Sequence, residues 1–245
     1  MTALADAIER RAPALADDAL EAMYRNPFWD ARFGARGRRF AREDNLHHLA
    51  YLVQALRAAS PDLLTAYARW LQRVLTTRGM CSRHIGENFE RLGEAIRADG
   101  IADAALALAL LDAAGAALAY DGGPARAVQA ATEAVAARAA DAVYARHPEW
   151  LARWGPAGWT RCRADLHYHL SYLADALANE RPELFVDYVR WIASFLERRG
   201  IPTEHLRETL TAVDEVLRTA LAAHYSAVAS VLAAGRAALV EEAAP

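Results

Sequence analysis

Apolar residues recur at spacings of three and four along nearly the whole chain, and no stretch alternates with the period of two that a strand needs. Read this way, the first half predicts helices over 2–25, 41–59, 61–78, 82–98 and 101–119. The second half predicts helices over 124–146, 162–180, 182–199, 203–220 and 222–240. The breaks have local causes. Ser60-Pro61 and Arg181-Pro182 end one helix and place proline in the first turn of the next. Arg78-Gly79 and Arg199-Gly200 put glycine where a C-cap needs positive φ. Ser82 and Thr203 then stand ready to N-cap the fourth helices. The segments 27–40 and 148–161 read as the only long non-helical stretches, so the fold class is all-α.

The pattern occurs twice. PFWDARFGARGRRFAREDNLHHLAYLVQAL (27–56) lies on PEWLARWGPAGWTRCRADLHYHLSYLADAL (148–177) with no gap. Residues 1–121 and 122–242 therefore read as a tandem duplication of a five-helix unit, joined at the turn Asp121-Gly122-Gly123-Pro124. The expected architecture is two pseudo-two-fold related helical bundles packed as one body. Residues alike in both halves were kept as the copies diverged.

On the second helix, Leu49, Leu52, Val53 and Leu56 form an ordinary apolar stripe, matched by Leu170, Leu173, Ala174 and Leu177. A second stripe lies about a third of a turn away: Asp44, His48, Tyr51 and Ala55, matched by Asp165, His169, Tyr172 and Ala176. Two kept faces imply a helix covered on both sides. Asp four residues before His lies one turn away on the same face. Its carboxylate is placed to accept the imidazole Nδ1–H, leaving Nε2 for a metal, a haem iron or a proton. Tyr51 and Tyr172 would supply a second hydrogen bond, and the alanines would leave room for something flat. The competing reading is a buried hydrogen-bonded network that only sets helix packing.

Other repeated sets narrow the choice. His84/Glu87 and His205/Glu208 place two ligand types at i, i+3, and with Asp44 and His48 would complete a two-histidine, two-carboxylate iron site. The apolar stripe Ile85, Phe89, Leu92, Ile96 turns Glu87 toward solvent and His84 to the flank, against that site. Arg32 and Arg153, with Arg42 and Arg163, stand before the second stripe and suit either the acid groups of a ligand or closure of the bundle end. Leu63, Tyr67, Trp70 and Val74, matched by Leu184, Tyr188, Trp191 and Phe195, have the spacing of a buried seam, with the Asp-His-Tyr stripe as a possible neighbour for their polar tips.

Composition excludes several classes. The chain has no lysine, all 28 basic residues being arginine, which removes lysine Schiff-base chemistry and a lysine P-loop. A net charge of −3 gives no reason to expect nucleic acid. Cys81 and Cys162 do not match each other and form no CxxC, which fits a reducing cytoplasm. The N-terminus carries acids where a signal peptide would be apolar, and the longest apolar run, around 104–119, is interrupted by Asp112. A membrane association is not expected.

FGARGRRFAREDNLHHLAYLVQAL followed by PDLLTAYARWLQRVLTTRG resembles all-helical modules of bacterial proteins that accompany cobalamin-type or other sensory regulators. That resemblance implies a binding or regulatory module. It does not extend to cobalamin, because the contact patterns of a cobalamin-binding domain are missing. The expected function is a cytoplasmic ligand-binding or sensory protein with two equivalent sites. His48 and His169 would be their centres and the metal-ligating residues, oriented by Asp44 and Asp165, and haem, another tetrapyrrole or iron the bound group. A non-haem iron enzyme and a ligand-free scaffold that engages a protein partner are the alternatives.

Overall fold

A computed structural model describes residues 2–241, and among these the chain forms α-helices and no strand. The helices are α1 (Thr2–Tyr24), α2 (Pro27–Ala58), α3 (Pro61–Leu75), α4 (Ser82–Asp99), α5 (Ala105–Ala116), α6 (Gly123–Arg146), α7 (Pro148–Ala178), α8 (Pro182–Glu197), α9 (Thr203–Ala220) and α10 (Tyr225–Glu241). Among the described residues no helix is long and apolar enough to cross a membrane.

The stretches 27–40 and 148–161, read from the sequence as non-helical, are helical. They form the first turns of α2 and α7, each broken at one glycine. Gly34 has φ 60 and ψ −164, and Gly155 has φ 63 and ψ −168. This region is essentially closed to residues with a Cβ. The chain makes a short aromatic-rich turn of helix, swings at the glycine, and resumes the long helix. The second glycine of each pair has a different role. A Cβ on Gly37 would lie 2.2 Å from the Phe33 Cβ, and one on Gly158 would lie 2.4 Å from the Trp154 Cβ. The resumed helix thus packs against the aromatic residue just before the kink. Mixed aromatic, arginine and glycine content hid these turns, because the apolar period restarts at the break.

The chain divides into two compact units that do not follow the sequence halves cleanly. The first runs to Leu75 and resumes over His84–Leu118. The second takes Thr76–Arg83 and the chain from Ala119 onward. The first unit is built on Ile8, Leu15, Leu52, Leu64, Phe89 and Leu111, all buried in one cluster. Each such side chain contributes roughly 1.5–3 kcal/mol of hydrophobic stabilisation. The second unit is built on Val128, Leu170, Phe185, Tyr188, Leu210 and Leu232, with Cys81 from the inserted segment in the same cluster.

Burial refines the alignment of the halves. Along the first helices, Leu15, Ala16, Ala19 and Met23 are buried in the pattern of Val135, Ala136, Ala139 and Val143. From the proline onward, His48, Leu49 and Leu52 follow the pattern of His169, Leu170 and Leu173. One more residue therefore lies between Tyr144 and Pro148 than between Tyr24 and Pro27.

The glycine C-caps stand as read, with Gly79 at φ 90 and Gly200 at φ 74. The N-caps do not. Ser82 opens α4 but gives its hydroxyl to Asp175, and Thr203 bonds Glu197. Gly155→Ala is expected to lower the thermal midpoint, since a side chain at that backbone geometry costs on the order of 1–3 kcal/mol. Gly158→Ala should lower it further, because backbone-proximal Cβ atoms collide. Melting followed by circular dichroism decides, and a Gly158→Ala protein that melts with the parent would contradict the close approach.

Candidate functional site

Each unit buries one imidazole from the second stripe, and each ring is held by a tyrosine from the following helix. His48 Nδ1 lies 2.8 Å from the Tyr67 hydroxyl, and His169 Nδ1 lies 2.7 Å from the Tyr188 hydroxyl. Asp44 and Asp165 do not make the expected Nδ1 bond. Spacing places aspartate and histidine on one face, which permits the bond but does not select it. A tyrosine crossing from the neighbouring helix takes the nitrogen instead. The stripe tyrosines Tyr51 and Tyr172 lie beside this bond. They stack on the bonding tyrosines, Tyr51 on Tyr67 at 3.8 Å and 13°, and Tyr172 on Tyr188 at 3.7 Å and 12°.

Burial keeps both rings neutral. It lowers His48 from 6.5 to about 3, with His47 adding to the effect, and lowers His169 from 6.5 to about 4. Burial also raises the Tyr67 hydroxyl, helped by the nearby Asp44 and Tyr51, so the phenol stays protonated. The tautomer fixes what Nε2 offers. If tyrosine donates to Nδ1, Nε2 carries a proton and donates; if Nδ1–H donates, Nε2 is a lone pair.

In the second unit this histidine borders a cavity of about 210 Å³. Its aromatic walls are Tyr144, Trp150 and Trp154, and its polar lining includes Arg161, Asp165, His169, His205 and Thr209. The kink at Gly155 carries Trp150 and Trp154 over the resumed helix, and the Gly158–Trp154 approach fixes the rim. Trp150 lies 3.9 Å from the His205 ring centre. His147, at the start of α7, stacks on Trp150 at 4.3 Å and 12°. Asp165 is bonded to Arg161 at 3.0 Å. The surrounding protein still raises its carboxyl pKa, burial outweighing the arginine, although part of the side chain opens onto the cavity. Cys162 also lines the cavity, but burial, with the Asp165 charge, pushes its thiol up to about 12. A thiol held protonated is a poor nucleophile.

The aligned residues of the first unit are packed differently. His84 is fully buried, between Phe28 at 4.6 Å and Trp29 at 4.9 Å. The sequence placed it on the flank of α4. Phe28 stands where the second half has Glu149, and buried Asn88 stands where it has Thr209. His48 is enclosed by Tyr67 and by Phe89, whose ring centre is 5.2 Å away. Among the described residues no group of three or more His, Cys, Asp or Glu side chains is placed to hold a metal ion. Asp44, His48, His84 and Glu87 therefore do not converge.

Two of the arginines named from the sequence pair with acids on the preceding helix. Arg42 pairs with Asp17 at 2.5 Å, and Arg163 pairs with Glu133. Arg153 covers the Trp154 ring at 4.9 Å and does not line the cavity, as Tyr172 does not. Arg32 sits half-buried two residues before the Gly34 kink.

Sequence reasoning missed Asp175. Its carboxylate is buried and accepts the Ser82 N–H at 2.7 Å, the Ser82 hydroxyl at 2.5 Å and the Tyr120 hydroxyl at 2.7 Å. Burial raises its pKa from 3.8 to about 6 against those bonds. Its aligned residue is exposed Gln54, so comparing the halves hid it.

Comparison with protein-family models, with curated proteins and with solved structures gave no match.

The shifted groups set the acid response. The unfolded chain takes up protons on His48 and His169 near pH 6.5, and the folded chain refuses them until about 3 and about 4. Their contribution to stability is thus complete above pH 6.5 and is lost as pH falls through the folded values. Asp175 acts the other way: its contribution is complete below 3.8 and is lost as pH rises through about 6. Replacing both histidines by glutamine should flatten the fall in thermal midpoint from pH 6.5 to pH 4, and an unchanged slope would contradict the assignment. Tyr188→Phe should cost about 1–3 kcal/mol by stranding a buried ring nitrogen, read by denaturant titration.

Proposed function

We propose that the protein binds a small planar organic molecule in the cleft of the second unit, with Asp165 and His169 as its polar centre. The observation that carries this reading is the convergence of Asp165, His169 and His205 on one cavity walled by Tyr144, Trp150 and Trp154. Apolar walls with a few converging polar groups are the usual form of a small-molecule site. The volume of about 210 Å³ lies below the roughly 300–1,000 Å³ of typical drug-sized pockets. That favours a nitrogen heterocycle or amidine over a haem or other tetrapyrrole. The lack of a converging ligand set among the described residues speaks against a bound iron. Burial holds the Cys162 thiol protonated, which makes it a poor nucleophile.

The two halves are read as copies of one helical unit. Support comes from the ungapped match of 27–56 with 148–177, from the paired kinks at Gly34 and Gly155, and from the paired histidine–tyrosine bonds. On this reading the copies have diverged in role. The second retains a cleft beside its histidine. The first encloses its histidine among Tyr67 and Phe89, which favours a structural role for His48 and one ligand site in place of two.

Trp150 and Trp154 make occupancy visible in tryptophan fluorescence. Imidazole, benzamidine and adenine are the planar probes; haemin and ferrous iron are the competing ones. A saturable change with a planar probe is expected, weakened at least tenfold in Asp165→Asn and His169→Ala. If no planar probe binds, or if haemin alone gives a stoichiometric Soret band, the reading is wrong.

A further inference from the structure

The same helix face is covered in one unit and open in the other. In the second unit, Tyr172 is 3% exposed and its hydroxyl donates to the Gly79 carbonyl at 2.9 Å. Gly79 belongs to the segment Thr76–Arg83, which lies along α7. Ser82 bonds Asp175, the Arg83 N–H donates to the Ser171 hydroxyl at 3.0 Å, and Cys81 is buried in the core. In the first unit the aligned Tyr51 is 37% exposed, and beside it on α3 stand Leu63 at 40% and Trp70 at 50%. The sequence had read Leu63 and Trp70 as part of a buried seam. The face is ordered, since Tyr51 stacks on Tyr67 and Tyr67 on Trp70, with ring centres 6.0 Å apart. Rigid exposed aromatics of this kind suit a protein interface.

The segment aligned with Thr76–Arg83 is 197–204. It is a turn with Arg198, Arg199, Gly200 and Pro202 exposed, and Gly200 repeats the positive φ of Gly79. We propose that the Tyr51–Leu63–Trp70 face docks the 197–204 turn of a second copy of this chain. This rests on reading the halves as copies and is independent of the ligand assignment. By the alignment, Tyr51 donates to the Gly200 carbonyl, Pro202 takes the place of Cys81, and Gln54 faces Thr203 where Asp175 faces Ser82. Asp175 makes charge-assisted bonds and Gln54 does not, while Ala50 replaces Ser171. The contact between copies is therefore weaker than the one within the chain, and association depends on concentration. The two surfaces differ, so the contact is head-to-tail and propagates unless a ring closes.

Sedimentation velocity over a concentration series tests this with two single-surface variants. Trp70→Glu spoils the face, and Leu63→Glu is its replacement if Trp70→Glu loses helical circular dichroism. Pro202→Asp spoils the turn while keeping a favoured N-cap for α9. The parent should gain mass with concentration, and each variant alone should stay monomeric. An equimolar mixture of the two should double in mass and stop there, because one intact face meets one intact turn. A parent that is monomeric throughout, association untouched by either variant, or a mixture that stays monomeric would overturn the proposal and leave the ligand reading intact.

Discussion

An imidazole buried between two helices must give one nitrogen to a neighbour, and in both units that neighbour is a tyrosine. The bond ties α2 to α3 through His48 and Tyr67, and α7 to α8 through His169 and Tyr188. A second tyrosine flattened on the first removes its remaining freedom. Much else depends on this seam. It fixes the orientation of the buried, neutral rings, and in the second unit that ring borders a cavity. An unmade bond at this depth would cost more than the bond itself contributes.

The glycine kinks convert that seam into a cleft. Without the swing at Gly155, Trp150 and Trp154 would continue along the axis of α7 and leave His169 under a bare helix end. With it, the tryptophans fold back beside Asp165 and His205. The first unit has the same kink at Gly34 but fills the space differently, with Phe28 against a fully buried His84. Different side chains beside matching kinks thus leave a cleft in one unit and a packed core in the other.

Asp175 shows what a repeat comparison misses. A carboxylate buried with three hydrogen-bond donors from Ser82 and Tyr120 anchors Thr76–Arg83 within the second unit. It has no acidic counterpart in the first half, and its donors are distant in sequence. Comparison of the halves selects residues alike in both, so a contact made once is invisible to it. The face around Tyr51 escaped for the opposite reason: its residues recur in both halves, and recurring residues read as buried.

The sequence alone determined the helices, because a period near 3.6 and the proline and glycine breaks are local properties of the chain. It also singled out His48 and His169, since a polar residue held on two matched stripes has few uses. Their partners were not legible. Aspartate one turn away was the nearest choice along the helix, while Tyr67 and Tyr188 come from another helix, and only packing brings them to Nδ1. The kinked turns before Gly37 and Gly158 were hidden because an apolar period cannot be followed through a residue with left-handed φ. Whether a stripe meets a cavity, a neighbouring helix or solvent is fixed by side chains distant in sequence. The tertiary structure therefore decided that Asp165 and His169 open onto a cleft, while His48 lies enclosed by Tyr67 and Phe89.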